Sequence, residues 1–131
     1  MIGLDTNILV RYLTQDDPLQ SGKATDLIER RLTEEAPGFV SVVAMAEIAW
    51  VLERAYHLAD ANIAEAIERI LQADALVVES EQEVFIAMTA LQEGRGTFAD
   101  ALIGALADRA GCSGTLTFDR KALRLPGFAL A

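Results

Sequence analysis

The chain is poor in the residues that build several common sites. It carries one cysteine, Cys112, and one histidine, His57, among 131 residues. A single cysteine forms no internal disulfide, and no Cys/His set is present to hold zinc. Cys112 is expected as a small, apolar core residue. A ribonuclease working with two histidines is excluded. His57 falls at a predicted helix end and is expected at the surface or as a C-cap. Long apolar runs are also missing. The longest, Val40 to Leu52, is interrupted by Ser41 and Glu47 and is too short to cross a bilayer. Met1 leads straight into an apolar segment with no basic stretch before it, so no signal peptide is expected. These features predict a cytoplasmic protein with no membrane partner. There is no P-loop and no GxSxG elbow, and Gly94-Arg95-Gly96 is too short for a nucleotide fingerprint. Bases are scarce: 11 Lys and Arg against 20 Asp and Glu give a net charge of −9. That balance argues against a broad nucleic-acid surface. It leaves open a nucleic-acid enzyme whose acids hold cations, because bound cations offset the charge.

What is present is core-forming material. Hydrophobic residues make up 52% of the chain. The length and this fraction predict one domain, 1–131, with a real core. Short β-rich runs alternate with helical spacing throughout. Ile2 to Asp5, Phe39 to Ser41, Leu76 to Glu79 and Gly114 to Phe118 read as strands, and the last residues as an edge strand. Asp17-Pro18 and Asp60 mark helix starts, and Ser80 with Glu83 has capping-box spacing. Thr97 reads as an N-cap and Gly111 as the left-handed residue after the helix it opens. Alternation of this kind implies a parallel sheet with helices on both faces.

Four acids share a position in this scheme. Each lies at a strand end or early in the next helix, where parallel sheets gather ligands. Asp5 follows the first strand and reads either as a helix cap or as a ligand, with Asn7 placed to orient it. Glu47 has only Val43, Ala44, Trp50 and Val51 at helical spacing. None of them forms an ion pair. Either Glu47 faces solvent, or a metal or distant arginine offsets the cost of burying it. Asp100 has capping-box spacing from Thr97, but Gly104 one turn on is expected to leave room above it. Asp119 would cap the turn at Arg120–Arg124 or act beside Thr117, which points the same way along the strand. Carboxylates with waters and phosphate oxygens suit Mg²⁺ or Mn²⁺, and such ions activate water against phosphodiesters. Arg11, Arg95, Arg120, Lys121 and Arg124 lie near these acids in sequence. They read as phosphate contacts or as a solvated face.

The segments DTNILVRYLTQDDP, SVVAMAEIAWVL, FADALIGALADRAG and TLTFDRKALR, in this order, resemble those of PIN-domain nucleases. They are most similar to VapC-type toxins of bacterial toxin–antitoxin pairs. The resemblance implies a three-layer α/β/α fold around a mostly parallel five-stranded sheet. It implies an endoribonuclease dependent on one or two Mg²⁺ or Mn²⁺ ions, leaving 5′-phosphate and 3′-hydroxyl ends. It carries the metal-binding acids onto Asp5, Glu47, Asp100 and Asp119, with Asn7 and Thr117 in support. It also implies a homodimer and a cognate antitoxin seated in the active-site groove. Two other readings of the same residues stand beside it. One is an aspartyl-phosphate phosphatase or receiver domain using Asp5 as nucleophile and Lys121 as counter-charge, against which the usual DxD pattern is missing. The other is a module that binds RNA or protein without catalysis.

Overall fold

The structure, a computed structural model, describes residues 1–131. β1 (Ile2–Gly3) leads into α1 (Thr6–Thr14), and α2 (Pro18–Asp26) runs on into a π-helical turn at Leu27–Arg31. β2 (Gly38–Val40) is followed by α3 (Val42–Arg54) and α4 (Asp60–Gln72). β3 (Leu76–Val78) is followed by α5 (Glu81–Gln92) and α6 (Phe98–Arg109). Then come β4 (Thr115–Thr117), a 3-10 turn at Arg120–Arg124 and β5 (Phe128–Leu130).

Helix starts follow from short polar side chains. Asp17 accepts from the Gln20 N–H ahead of Pro18, and the Ser41 hydroxyl accepts from the Ala44 N–H. The Thr97 hydroxyl accepts from the Asp100 N–H, and Gly111 takes the left-handed conformation with φ of 92°. All four are the N-cap and αL roles that these residue types favour. Two expected starts differ. The N-cap before α4 is Ala59, and Asp60 is the first helical residue with no capping bond. Ser80 has φ of 52° and makes no cap bond to α5. Its expected capping box is absent because Arg109 donates to both Ser80 Oγ (3.2 Å) and Glu83 Oε1 (2.7 Å). A charge-assisted bond of this kind is stronger than the neutral cap it replaces.

Every paired strand runs parallel, and the layers are α/β/α. β2 lies between β1 and β3, with Gly38 opposite Ile2 and Leu76. β4 pairs with β5, with Thr115 opposite Phe128. The hydrogen bonds therefore join the five strands as three plus two, where a single five-stranded ladder is expected. The reason is the brevity of β1. The Ile2 and Leu4 N–H groups already donate to Pro37 O and Phe39 O on the β2 side. So short a strand leaves little backbone for a second neighbour.

The core forms where the helical stripes meet. α3 packs against α1, α4 and α6, and α5 against α4 and α6. Leu9, Met45, Ile48, Leu52, Ile67 and Ile70 are fully buried. Each such side chain contributes about 1.5–3 kcal/mol through loss of apolar surface to water. Two core expectations are corrected. Cys112 is exposed, since it lies in the turn between α6 and β4. The room at Gly104 is occupied by Phe128: a Cβ there would stand 2.5 Å from Phe128 Cε1. Gly104 thus admits the β5 aromatic ring, and it opens no space for a ligand above Asp100.

Candidate active site

The site begins where β1 ends. The Asp5 carboxylate accepts from the Thr6 N–H at 2.7 Å, which caps α1. The Thr6 hydroxyl donates to Glu47 Oε1, also at 2.7 Å. One residue therefore ties the acid of the first strand to the acid of α3, across 41 positions of sequence. Glu47 is exposed, on an outward stripe of α3 with Val43, Trp50 and Arg54. The burial cost weighed for Glu47 does not arise, because its helical neighbours Val43 and Trp50 face solvent with it while Ala44, Met45 and Ile48 form the buried face. Asn7 is exposed beside this pair.

A second pair of acids shares a cleft of about 760 Å³. Asp100, in the first turn of α6, and Asp119, just past β4, both line it. The Asp119 carboxylate accepts from the Lys121 N–H (2.9 Å), and its own N–H donates to Thr117 Oγ1 (3.0 Å). Thr117 thus fixes the backbone turn that presents Asp119. Asp5 and Glu47 do not line this cleft. Ala46 and Trp50, which flank Glu47 on α3, do.

The cleft is richer in base than the molecule around it. Arg95, Arg120, Lys121 and Arg124 line it against Glu53, Asp60, Asp100 and Asp119. Arg120 and Lys121 form none of the four ion pairs in the chain. Arg124 donates to Gly94 O at 3.0 Å, and Arg95 pairs with Glu93 at 2.8 Å. Arg11 does not line the cleft and is bonded through Nε and Nη1. It donates to Gln20 (2.9 Å), to both oxygens of Asp16 (2.9 and 3.0 Å) and to Tyr56 (3.3 Å). The Tyr56 hydroxyl (2.6 Å) and the Thr14 hydroxyl (2.8 Å) also donate to Asp16, and with Arg11 they lower its carboxyl to about 2, the Tyr56 bond being the largest cause, then Thr14, then Arg11.

A model of the PIN domain matches residues 2–127. The chain belongs to the PIN-domain family. Comparison with curated proteins gives no match. PIN domains are generally metal-dependent nucleases, and they usually bind divalent ions such as Mg²⁺. In this PIN domain no three Asp, Glu, His or Cys side chains converge closely enough to cage an ion. The donors are nevertheless of the right chemistry. Mg²⁺ keeps several of its waters and commonly takes only one or two carboxylates. Two carboxylate pairs, Asp5 with Glu47 and Asp100 with Asp119, suit that requirement.

Two residues of this PIN domain escape a search for acids. Thr6 was legible only as the middle of the Asp5-Thr6-Asn7 triplet. Trp50 was visible only as an apolar neighbour of Glu47, and nothing local marks it as lining a cleft. Glu79, at the end of β3, is a further acid at a strand end. It accepts from the Val42 N–H at 2.9 Å and so supports the start of α3.

Proposed function

We propose that this PIN domain is a divalent-metal-dependent endoribonuclease and the toxin of a type II toxin–antitoxin pair. The observation that carries the nuclease reading is the cleft where Asp100 and Asp119 stand among Arg120, Lys121 and Arg124. Acids suited to a hydrated cation beside unpaired bases suited to phosphate are the two halves of a phosphodiester site.

Asp5, Glu47, Asp100 and Asp119 would hold one or two Mg²⁺ or Mn²⁺ ions, directly or through water. A bound ion supplies an acidified water and stabilises charge on the phosphodiester. The chain's own residues do the positioning. Thr6 orients the Glu47 carboxylate, and the Thr117 hydroxyl holds the turn that carries Asp119. Arg95, Arg120 and Lys121 draw in and orient the RNA backbone at the cleft, while Asn7 lies beside the Asp5 pair. Arg11, through its ion pair with Asp16 and its hydrogen bond to Tyr56, braces α1 in this reading. The cognate antitoxin would place a basic side chain among the acids, since an arginine is a strong partner for paired carboxylates. The active form would be a homodimer.

The test is cleavage of a single-stranded RNA by the purified protein. Cutting in Mg²⁺ or Mn²⁺, with loss in excess chelator and recovery on adding metal back, is expected. Equal cutting in excess chelator would refute the metal mechanism.

A further inference from the structure

Trp50 is the only tryptophan in the chain, and it lies at the cleft wall with its side chain open to solvent. Its residue is 59% exposed, on a helix whose neighbouring turns bury Ile48, Ala49 and Leu52 completely or nearly so. The Arg54 guanidinium lies over one face of the ring, 5.6 Å from its centroid. That contact holds the ring by a cation–π attraction and covers one face. Trp50 stands one helical turn after Glu47 on the outward stripe of α3. It also lines the same cleft as Asp100, Asp119 and the unpaired Arg120 and Lys121. The ring therefore lies on the helix stripe that carries Glu47 and in the cleft that holds Asp100 and Asp119, next to bases suited to phosphate.

We infer that Trp50, backed by Arg54, is a stacking platform for an unpaired RNA base beside the scissile phosphodiester. The inference deepens the ribonuclease reading and rests on it. Every base offers a π-face, so an exposed indole next to a phosphate-binding cleft grips single strands with little regard to sequence. In a duplex the bases are stacked on one another and are withheld from such a ring. Within the ribonuclease reading, the platform thus favours a single strand, or the loop of a folded RNA, over a duplex. Trp50 acts here as a positioning residue: it touches substrate away from the reacting atoms.

The experiment reads binding, so its outcome is independent of whether metal drives cleavage. Fluorescence from the sole tryptophan is followed as a short single-stranded RNA is added to the Asp119→Asn protein, which blocks turnover under the metal reading. A duplex of equal length and inorganic polyphosphate serve as comparisons. Quenching by the single strand, and much less by the duplex or polyphosphate, is expected. In the same background Trp50→Leu should bind the single strand about 5- to 100-fold more weakly, the range that loss of one base–aromatic stack gives. Trp50→Tyr should recover most of the affinity. Circular dichroism melts of the variants establish that the fold is kept. If Trp50→Leu fails to fold, the fluorescence and Trp50→Tyr arms still decide. RNA binding with unchanged fluorescence would overturn the inference. So would Trp50→Leu binding as tightly as its parent, including the case where that variant loses self-association or a protein partner instead.

Discussion

At the scale of single residues, Thr6 organises more of the site than its exposure suggests. Its backbone N–H serves Asp5 and its hydroxyl serves Glu47, so one residue links the two acids. Thr6→Val keeps the shape and removes only the hydroxyl. RNA cleavage should fall about 10–100-fold, as for other groups that orient a metal ligand, and the melting temperature should hardly change. Thr6→Ser should restore the rate. A rate assay beside a thermal melt checks both. Asp16 shows a different residue effect. Its folded pKa of about 2 lies below the ordinary value of 3.8, so the unfolded chain binds the proton more readily. Its stabilising contribution is complete above about pH 4 and is lost as the pH falls toward 2. Asp16→Asn should lower the melting temperature at neutral pH, and the gap to the parent should close on acidification toward pH 2. A gap that stays constant with pH would show that the Tyr56 and Arg11 bonds do not favour the charged form. At this scale the sequence was informative about which acids sit at strand ends. It was silent on partners: the bonds from Thr6 to Glu47 and from Arg11 to Tyr56 span 41 and 45 positions. No local spacing rule reaches that far.

At the scale of elements, short strands decide what the helices present. Asp119 lies two residues past β4, and β4 is held by β5 alone. The join depends on Gly114, where a Cβ would stand 2.8 Å from the Gly127 carbonyl oxygen. That neighbour is backbone and has little freedom to withdraw. Gly114→Ala should therefore destabilise the protein by about 1–3 kcal/mol, as overpacking does, and should lower cleavage by displacing Asp119. Chemical denaturation and a rate assay on the same preparation check it; unchanged stability would show that β5 yields. Helix positions were legible because caps and apolar spacing are local signals. Asp17-Pro18, Thr97 and Gly111 all stand where those signals put them, whereas Ser41, expected as the end of a strand, caps α3. The capping box at Ser80 and Glu83 misled because Arg109, 26 residues beyond Glu83, claims both side chains. Gly104 misled for the same kind of reason. A glycine signals close approach, but the sequence does not say whether a ligand or a Phe128 ring approaches.

At the scale of the whole molecule, the net charge of −9 and the basic lining of one cleft are compatible. The acids spread over the surface keep RNA from binding at random. The cleft gathers four of the 11 bases and two of the candidate metal ligands. PIN-domain membership gives the metal-dependent nuclease class, and the geometry leaves the four acids as two pairs. The central claim is that both pairs serve one catalytic centre. Two substitutions, one from each pair, test it directly. Asparagine caps helices about as well as aspartate, so Asp5→Asn and Asp119→Asn should keep their local hydrogen bonds and lose only charge. The rate of single-stranded RNA cleavage in saturating Mg²⁺ is measured for each variant and for the parent. The account predicts that both variants fold and that each loses nearly all activity, at least about 100-fold. If either folded variant cuts RNA at the parental rate, its pair does not belong to the catalytic centre and the account is contradicted.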